Sequence, residues 1–280
     1  MHESAMSGRR VSVWMSVVAL AMALLAAGCQ TVQTTQPGAV GVNREQRMAI
    51  SQQEFEQGAA KSYQELMQQA RAKGLLNRDA AQVDRVRRIA ARLIPATATF
   101  RPDAVKWKWE TNVLSSDQVN AWCMPGGKIA VYTGLIQKLS LTDDELAAVM
   151  GHEMAHALRE HSREQASIQL GQNVVIGLAG SLFGLSETAQ QVGQLAAEYT
   201  INRRHSRQDE TEADRIGVEL AARAGYDPRA AITLWSKMAR LSGSEPPQWL
   251  STHPSSAART RDLTDYSQRV LPLYQAATRR

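Results

Sequence analysis

The sequence predicts an α+β fold that is mainly helical, with one small antiparallel sheet beside a buried helix. Three observations predict it. Apolar residues recur at helical spacing over 51–73, 79–93, 187–201 and 228–241. Residues 104–133 break that rhythm. There Val105, Trp107 and Trp109 alternate with polar residues as in a strand, and Pro125, Gly126 and Gly127 make a turn between two further short runs. Residues 146–158 are apolar on nearly every side, which marks a helix enclosed by other elements.

The chain opens on a different kind of segment. Residues 11–28 form an uncharged, mostly apolar run that follows Arg9 and Arg10 and ends in small residues before Cys29, the parts of a secretory signal. Leu25, Ala26, Ala27, Gly28 and Cys29 resemble a bacterial lipobox, although Ala26 stands where a leucine is usual. The expectation is a lipoprotein signal over 1–28, with Cys29 lipidated as the new N-terminus and Gln30 behind it directing the protein to the outer membrane, facing the periplasm. An uncleaved membrane anchor is the rival reading, because the run has the length of a minimal span. Residues 30–42 are polar with Pro37, Gly38 and Gly41, so they read as a flexible tether, leaving 43–280 as one domain. Cys123, the second of two cysteines, reads as a small buried hydrophobe.

The remaining elements follow from their end signals. Thr142 caps a helix through a capping box completed by Glu145, and Gly225 ends the helix that begins near 207. Residues 171–185 are apolar and glycine-rich, and a buried hairpin, a lid and a membrane-touching loop all fit them. A formal charge of +5 with no basic run argues against nucleic acid as a partner.

The chemistry centres on His152, Glu153, Met154, Ala155 and His156, an HExxH motif. On a helix, residues four apart share a face, so both imidazoles reach one metal ion. Zinc suits such ligands and brings the pKa of a bound water to about 7. Glu153, next to the first ligand, is placed to take that water's proton. A third protein ligand comes from the helix beginning near 207. Its apolar face, Ala213, Gly217, Leu220, Ala221 and Ala224, extends back one turn to Glu210 and includes Asp214. Glu212, Arg215 and Glu219 fall on the opposite face, which reads as solvated. Spacing therefore selects Glu210 as ligand and Asp214 as the partner of a ligating imidazole N–H. His161, five residues past His156, reads as structural and pointing away from the metal, and His205 reads as a solvated loop histidine.

Together with Asn120 to Lys128, Val131 to Leu135, Ser206 and Arg207, Gly225 to Pro228, and Ser251, Thr252, His253, Pro254 and Arg259, these motifs resemble the HtpX/CAAX-protease family of zinc metallopeptidases, in its bacterial lipoprotein and periplasmic branch. The resemblance covers most of 43–265. It implies a zincin-type fold, one zinc per chain on His152, His156 and Glu210, catalysis by Glu153, and Asp214 behind the ligands. It also implies that an extended substrate adds to a sheet edge, for which Asn120, Ala121 and Trp122 are the candidates. His253 is expected at the metal site in one of two roles, an oxyanion donor or a fourth ligand that plugs the open position. The expected function is endopeptidase cleavage of unfolded or misassembled envelope proteins. The alternative is an outer-membrane assembly factor that binds unfolded chains and cleaves rarely. A protease for prenylated tails is disfavoured, because the sequence has no spans to build an intramembrane chamber. Oligomeric state is not readable from the sequence.

Overall fold

The structure, a computed structural model, describes residues 30–178, 189–241, 247–253 and 257–279. The expected signal segment, Cys29, Pro254 and much of the 171–185 stretch lie outside the described residues or have undescribed side chains. The architecture is mainly helical with small sheets, the zincin-type arrangement expected. The helices are α1 (Gln52–Ala72), α2 (Ala80–Ala96), α3 (Thr133–Lys138), α4 (Asp143–Leu158), α5 (His161–Leu178), α6 (Ala189–Ala197), α7 (Arg207–Arg223), α8 (Ala230–Leu241), α9 (Gln248–Thr252) and α10 (Ala257–Thr278). No helix among the described residues is long and apolar enough to cross a membrane.

Helix α4 is the axis of the core. The Thr142 and Glu145 capping box starts it, and every residue from Glu145 to Leu158 is buried. Its most extensive helix contact is with α7, which a second capping box, between Ser206 and Asp209, begins. The two helices meet at glycines. A Cβ on Gly151 would lie 2.9 Å from the Gly217 carbonyl oxygen, and one on Gly217 would lie 2.8 Å from the His152 nitrogen.

A three-stranded sheet covers another side of α4. Its strands are β3 (Glu110–Leu114), β4 (Ala121–Met124) and β5 (Lys128–Tyr132), in the order β3-β5-β4. The β4/β5 pair is antiparallel, whereas β3 runs parallel to β5. Side chains alternate along β4: Ala121 and Cys123 enter the main core, and Trp122 and Met124 pack with Tyr63 and Met67 of α1. The strand expected around Val105, Trp107 and Trp109 lies further along the chain. Residues Ala104–Lys106 form a 3₁₀ turn, and the two indoles stack with centroids 5.5 Å apart. Trp109 donates to the Ala104 carbonyl at 2.7 Å and covers Gly127. The alternation there records stacked rings, not a sheet face.

Residues 30–42 are not a free tether. Strand β1 (Gln30–Val32) pairs antiparallel with β2 (Gln46–Met48), the Gln36 N–H reaches the Phe100 carbonyl, and Val40 is in the core. Residues 30–42 therefore belong to the folded body, and no boundary falls at 43. This segment also corrects the reading of α7. It covers the face assigned to solvent, so Glu212 and Glu219 are buried, Glu219 accepting from the Val40 N–H at 3.0 Å. Arg215 does lie towards the surface, paired with Asp262 of α10.

Candidate active site

The i, i+4 spacing on α4 brings the Nε2 atoms of His152 and His156 to 3.1 Å. Glu210, on the first turn of α7, places Oε1 3.5 Å from His156 Nε2 and Oε2 3.7 Å from His152 Nε2. His253, just past α9, sets its Nε2 3.9 Å from Glu210 Oε1 and 3.6 Å from Glu153 Oε1. One donor atom from each of His152, His156, Glu210 and His253 lies within 4.8 Å of the others, and all four residues are buried. A tetrahedron with zinc–ligand arms of about 2.0–2.1 Å has edges of about 3.3–3.4 Å, close to these separations. Glu212 faces away from this point.

Hydrogen bonding decides which nitrogen each ring presents. His152 Nδ1 lies 3.0 Å from Asp214 Oδ1, somewhat off the ideal hydrogen-bond line. His253 Nδ1 lies 3.0 Å from the Trp249 carbonyl, an atom that only accepts, so Nδ1 carries the proton and Nε2 a lone pair. His253 Nε2 and Glu210 Oε1 are buried with no hydrogen-bond partner among the described residues. Buried polar atoms are rarely left so, and a divalent cation satisfies them at once. The donor set therefore fits zinc.

The charges agree. Burial pushes the Glu210 carboxyl up, but the positive charge around it, of which the Arg259 guanidinium is the permanent part, outweighs burial and holds the carboxyl below its usual range. Arg259 of α10 lies 2.5 Å from Glu210 Oε2 and also grips both oxygens of Asp214. Burial drives His156 and His253 well below the usual histidine range, which keeps them unprotonated. Glu153 is the exception among the carboxylates. Burial lifts it to about 7 against the lowering effects of His152 and the Trp249 hydrogen bond. The indole N–H of Trp249 donates to Glu153 Oε1 at 2.6 Å.

Several partners here differ from the sequence reading. His161 does not continue α4. Glu160 takes a positive φ of 53°, the helix stops, and the chain turns back so that His161 Nδ1 lies 2.9 Å from His156 Nδ1. His205 is buried, not solvated: its ring lies 4.0 Å from that of His156, and its backbone N–H bonds the Thr252 carbonyl. Trp249 carries no spacing signal, and only its place one turn before His253 hints at it. Cys123 is buried as expected, and burial raises its thiol pKa.

At the edge of the sheet, the Tyr132 N–H bonds the Asn120 carbonyl. By the alternation of an antiparallel pair, Asn120 and Trp122 turn their peptide groups to β5, and Val119, Ala121 and Cys123 turn theirs to the free edge. Of the three residues expected to form the substrate strand, only Ala121 thus offers edge groups, and its N–H is taken by the Asn120 side chain. The Val119 carbonyl already accepts from the Trp249 N–H at 3.1 Å.

Residues 80–267 match peptidase family M48. The chain is 38% identical over 155 residues to the mitochondrial metalloendopeptidase OMA1 of Arabidopsis thaliana, covering 55% of this chain and 31% of that protein. It is 34% identical over 155 residues to metalloprotease LoiP of Escherichia coli, covering 55% and 60%. It is 30% identical over 182 residues to the β-barrel assembly-enhancing protease of the same bacterium, covering 61% and 37%. These relatives include mitochondrial as well as bacterial proteins, and the chain spans less than two thirds of each. The matched region contains α4, α7 and the whole cluster they assemble, and on that ground the chain belongs to peptidase family M48.

Proposed function

We propose that this protein is a zinc-dependent endopeptidase that hydrolyses peptide bonds of unfolded or misassembled envelope proteins. The observation that carries the reading is the buried cluster of His152, His156, Glu210 and His253 beside Glu153. His152, His156 and Glu210 would hold one zinc ion, which supplies a polarised scissile carbonyl and an acidified water. Glu153 takes the proton of the attacking water and passes it to the leaving amine. A carboxylate with a pKa of about 7 is suited to both halves of that transfer. Asp214 orients His152, and Arg259 fixes Asp214 and Glu210 against each other. An extended peptide pairs along the free edge of β4, where Ala121 and Cys123 present backbone groups.

The described arrangement is closed. Residues 247–253 place His253 at the cluster, Trp249 on Glu153 and the Trp249 N–H on the Val119 carbonyl. A substrate strand competes for that same carbonyl, so entry of a peptide and withdrawal of α9 are one event. This closure favours a second reading, an assembly factor that holds unfolded chains and cleaves them rarely. Compartment and anchor follow from the N-terminal segment: a lipid on Cys29 tethers the enzyme to the outer membrane, facing the periplasm. Casein or an unfolded envelope protein is incubated with wild type and with Glu153→Gln, each with and without a zinc chelator. Cleavage by wild type alone, abolished by the chelator, is expected. Binding without cleavage under every condition favours the second reading.

A further inference from the structure

Behind the four-donor cluster a second buried chain of polar groups leads from His156 to the N-terminal segment. His161 is fully buried, with Nδ1 2.9 Å from His156 Nδ1 and Nε2 3.2 Å from Glu212 Oε2. Glu212 accepts in turn from Arg159 Nε at 2.9 Å and Arg44 Nε at 2.5 Å. Arg44 lies just before β2 and is also bidentate to Glu164, at 2.5 and 2.8 Å. Gln46 of β2 reaches the same Glu164 at 2.6 Å.

The donors and acceptors along this chain admit one direction that keeps His156 in the cluster. Glu212, flanked by two guanidinium groups, is an ionised carboxylate and only accepts. His161 therefore donates from Nε2, and in that direction its Nδ1 offers a lone pair. That lone pair accepts from His156 Nδ1–H, which leaves the lone pair of His156 on Nε2, the atom facing Glu210 and His152. The reverse arrangement, with a proton on His161 Nδ1, turns His156 Nε2 into a donor and removes it from the cluster. His152 takes the same orientation from Asp214. His156 has no carboxylate at its Nδ1, and the His161 ring relays that of Glu212 to it instead.

The geometry points to His161 as a positioning residue for His156, with Glu212 holding His161 and Arg44 making the N-terminal segment part of the metal centre. This rests on the zinc reading above. A buried ion network that only stabilises the fold makes a different prediction. Such a network affects metal-free and metal-loaded protein alike, whereas a positioning residue changes the affinity for metal.

The test measures zinc affinity of the full chain by competition with a chromophoric chelator, alongside thermal melting of metal-free protein. His161→Leu is expected to weaken zinc binding by about 10–100-fold. His161→Asn puts an amide oxygen near the place of Nδ1 and is expected to recover most of that loss, although both variants lose the bond to Glu212. Arg44→Met is expected to weaken binding by about three- to tenfold. Equal zinc affinity for His161→Leu, His161→Asn and wild type overturns the inference, whatever the melting temperatures do. If His161→Leu does not fold, Glu212→Gln takes its place, and wild-type affinity in that variant overturns the inference in the same way. The control is His152→Ala. Wild type that fails to bind zinc, or His152→Ala that binds it equally well, defeats the zinc reading itself. Loss in His152→Ala with no change at His161 defeats only the positioning role.

Discussion

The indole N–H of Trp249 donates a 2.6 Å hydrogen bond to Oε1 of Glu153, the carboxylate assigned to proton transfer. An oxygen engaged in this way is a weaker base towards water, because the hydrogen bond stabilises its charged form. Trp249 is itself clamped between Trp235, at 4.8 Å, and His253, at 4.8 Å. Arg259, which holds Glu210, lies over Trp235 at 3.7 Å. The closed segment is thus one stacked unit with one polar hold on the base.

Trp249→Phe keeps the stack and removes only the N–H. A hydrogen bond to a charged group is worth about 1.5–3 kcal/mol, so its loss shifts the balance towards the open segment by about tenfold or more. The expected outcome is faster hydrolysis of an unfolded substrate with unchanged zinc content, measured as initial rates. A slower enzyme contradicts the masking role.

His253→Ala separates the two roles of that histidine. If His253 closes the fourth position, the substitution raises basal proteolysis and brings self-cleavage, which mass spectrometry detects. If it donates to the oxyanion, turnover falls by about two to three orders of magnitude. The first outcome is expected, because Nε2 of His253 faces Glu210 and Glu153 with no hydrogen-bond partner among the described residues.

Glu153→Gln is expected to abolish cleavage and leave zinc content nearly unchanged. It also has a signature in the metal-free protein. Burial raises Glu153 from 4.5 to about 7, so the folded state holds that proton more tightly than the unfolded chain does. The penalty for ionising it is absent below pH 4.5 and grows until the pH passes about 7. Relative to wild type, metal-free Glu153→Gln should therefore melt higher at pH 8, with the gap closing as pH falls towards 4.5. A gap independent of pH means that Glu153 does not titrate as described.

Cys29→Ser is expected to prevent lipid attachment and release the protein from membranes in soluble form. Fractionation of cells with metabolic labelling by a fatty acid reads both effects. Detergent-free extraction of the wild type as soluble protein contradicts the anchor.

Much of the site was legible because it depends on helix geometry. His152 and His156 share a face by the spacing of four, and the apolar stripe of α7 pointed inward at Glu210 and Asp214. The misread residues depend on what covers a helix. Glu212 and Glu219 sit opposite that stripe and read as solvated, but the polar segment 30–50 packs over them, Arg44 on Glu212 and Val40 on Glu219. Nothing in the composition of that segment announces a docked strand, because its role is to satisfy buried charges. The expectation for His161 extends a helix that in fact ends before a positive φ on Glu160, a non-glycine residue with no turn signal. Trp249 and His205 reach the site through tertiary contacts alone. The strand expected at Val105 failed because stacked indoles mimic a period of two.

The contact of Gly151 with Gly217 sets the scale of the site. Gly151 directly precedes His152, and Gly217 lies two turns beyond Glu210 on the opposing helix. With no side chain on either, backbone meets backbone, and the gap between ligands on α4 and α7 is fixed by main-chain atoms. A single methyl group at either position is a spacer thicker than the contact allows, so the helices must part and Glu210 with them. The ligand set can then be chemically intact and still too wide for its ion. Tolerance for change at these two positions is therefore governed by ångströms of helix separation, and a residue with no functional group acts as the gauge of a catalytic centre.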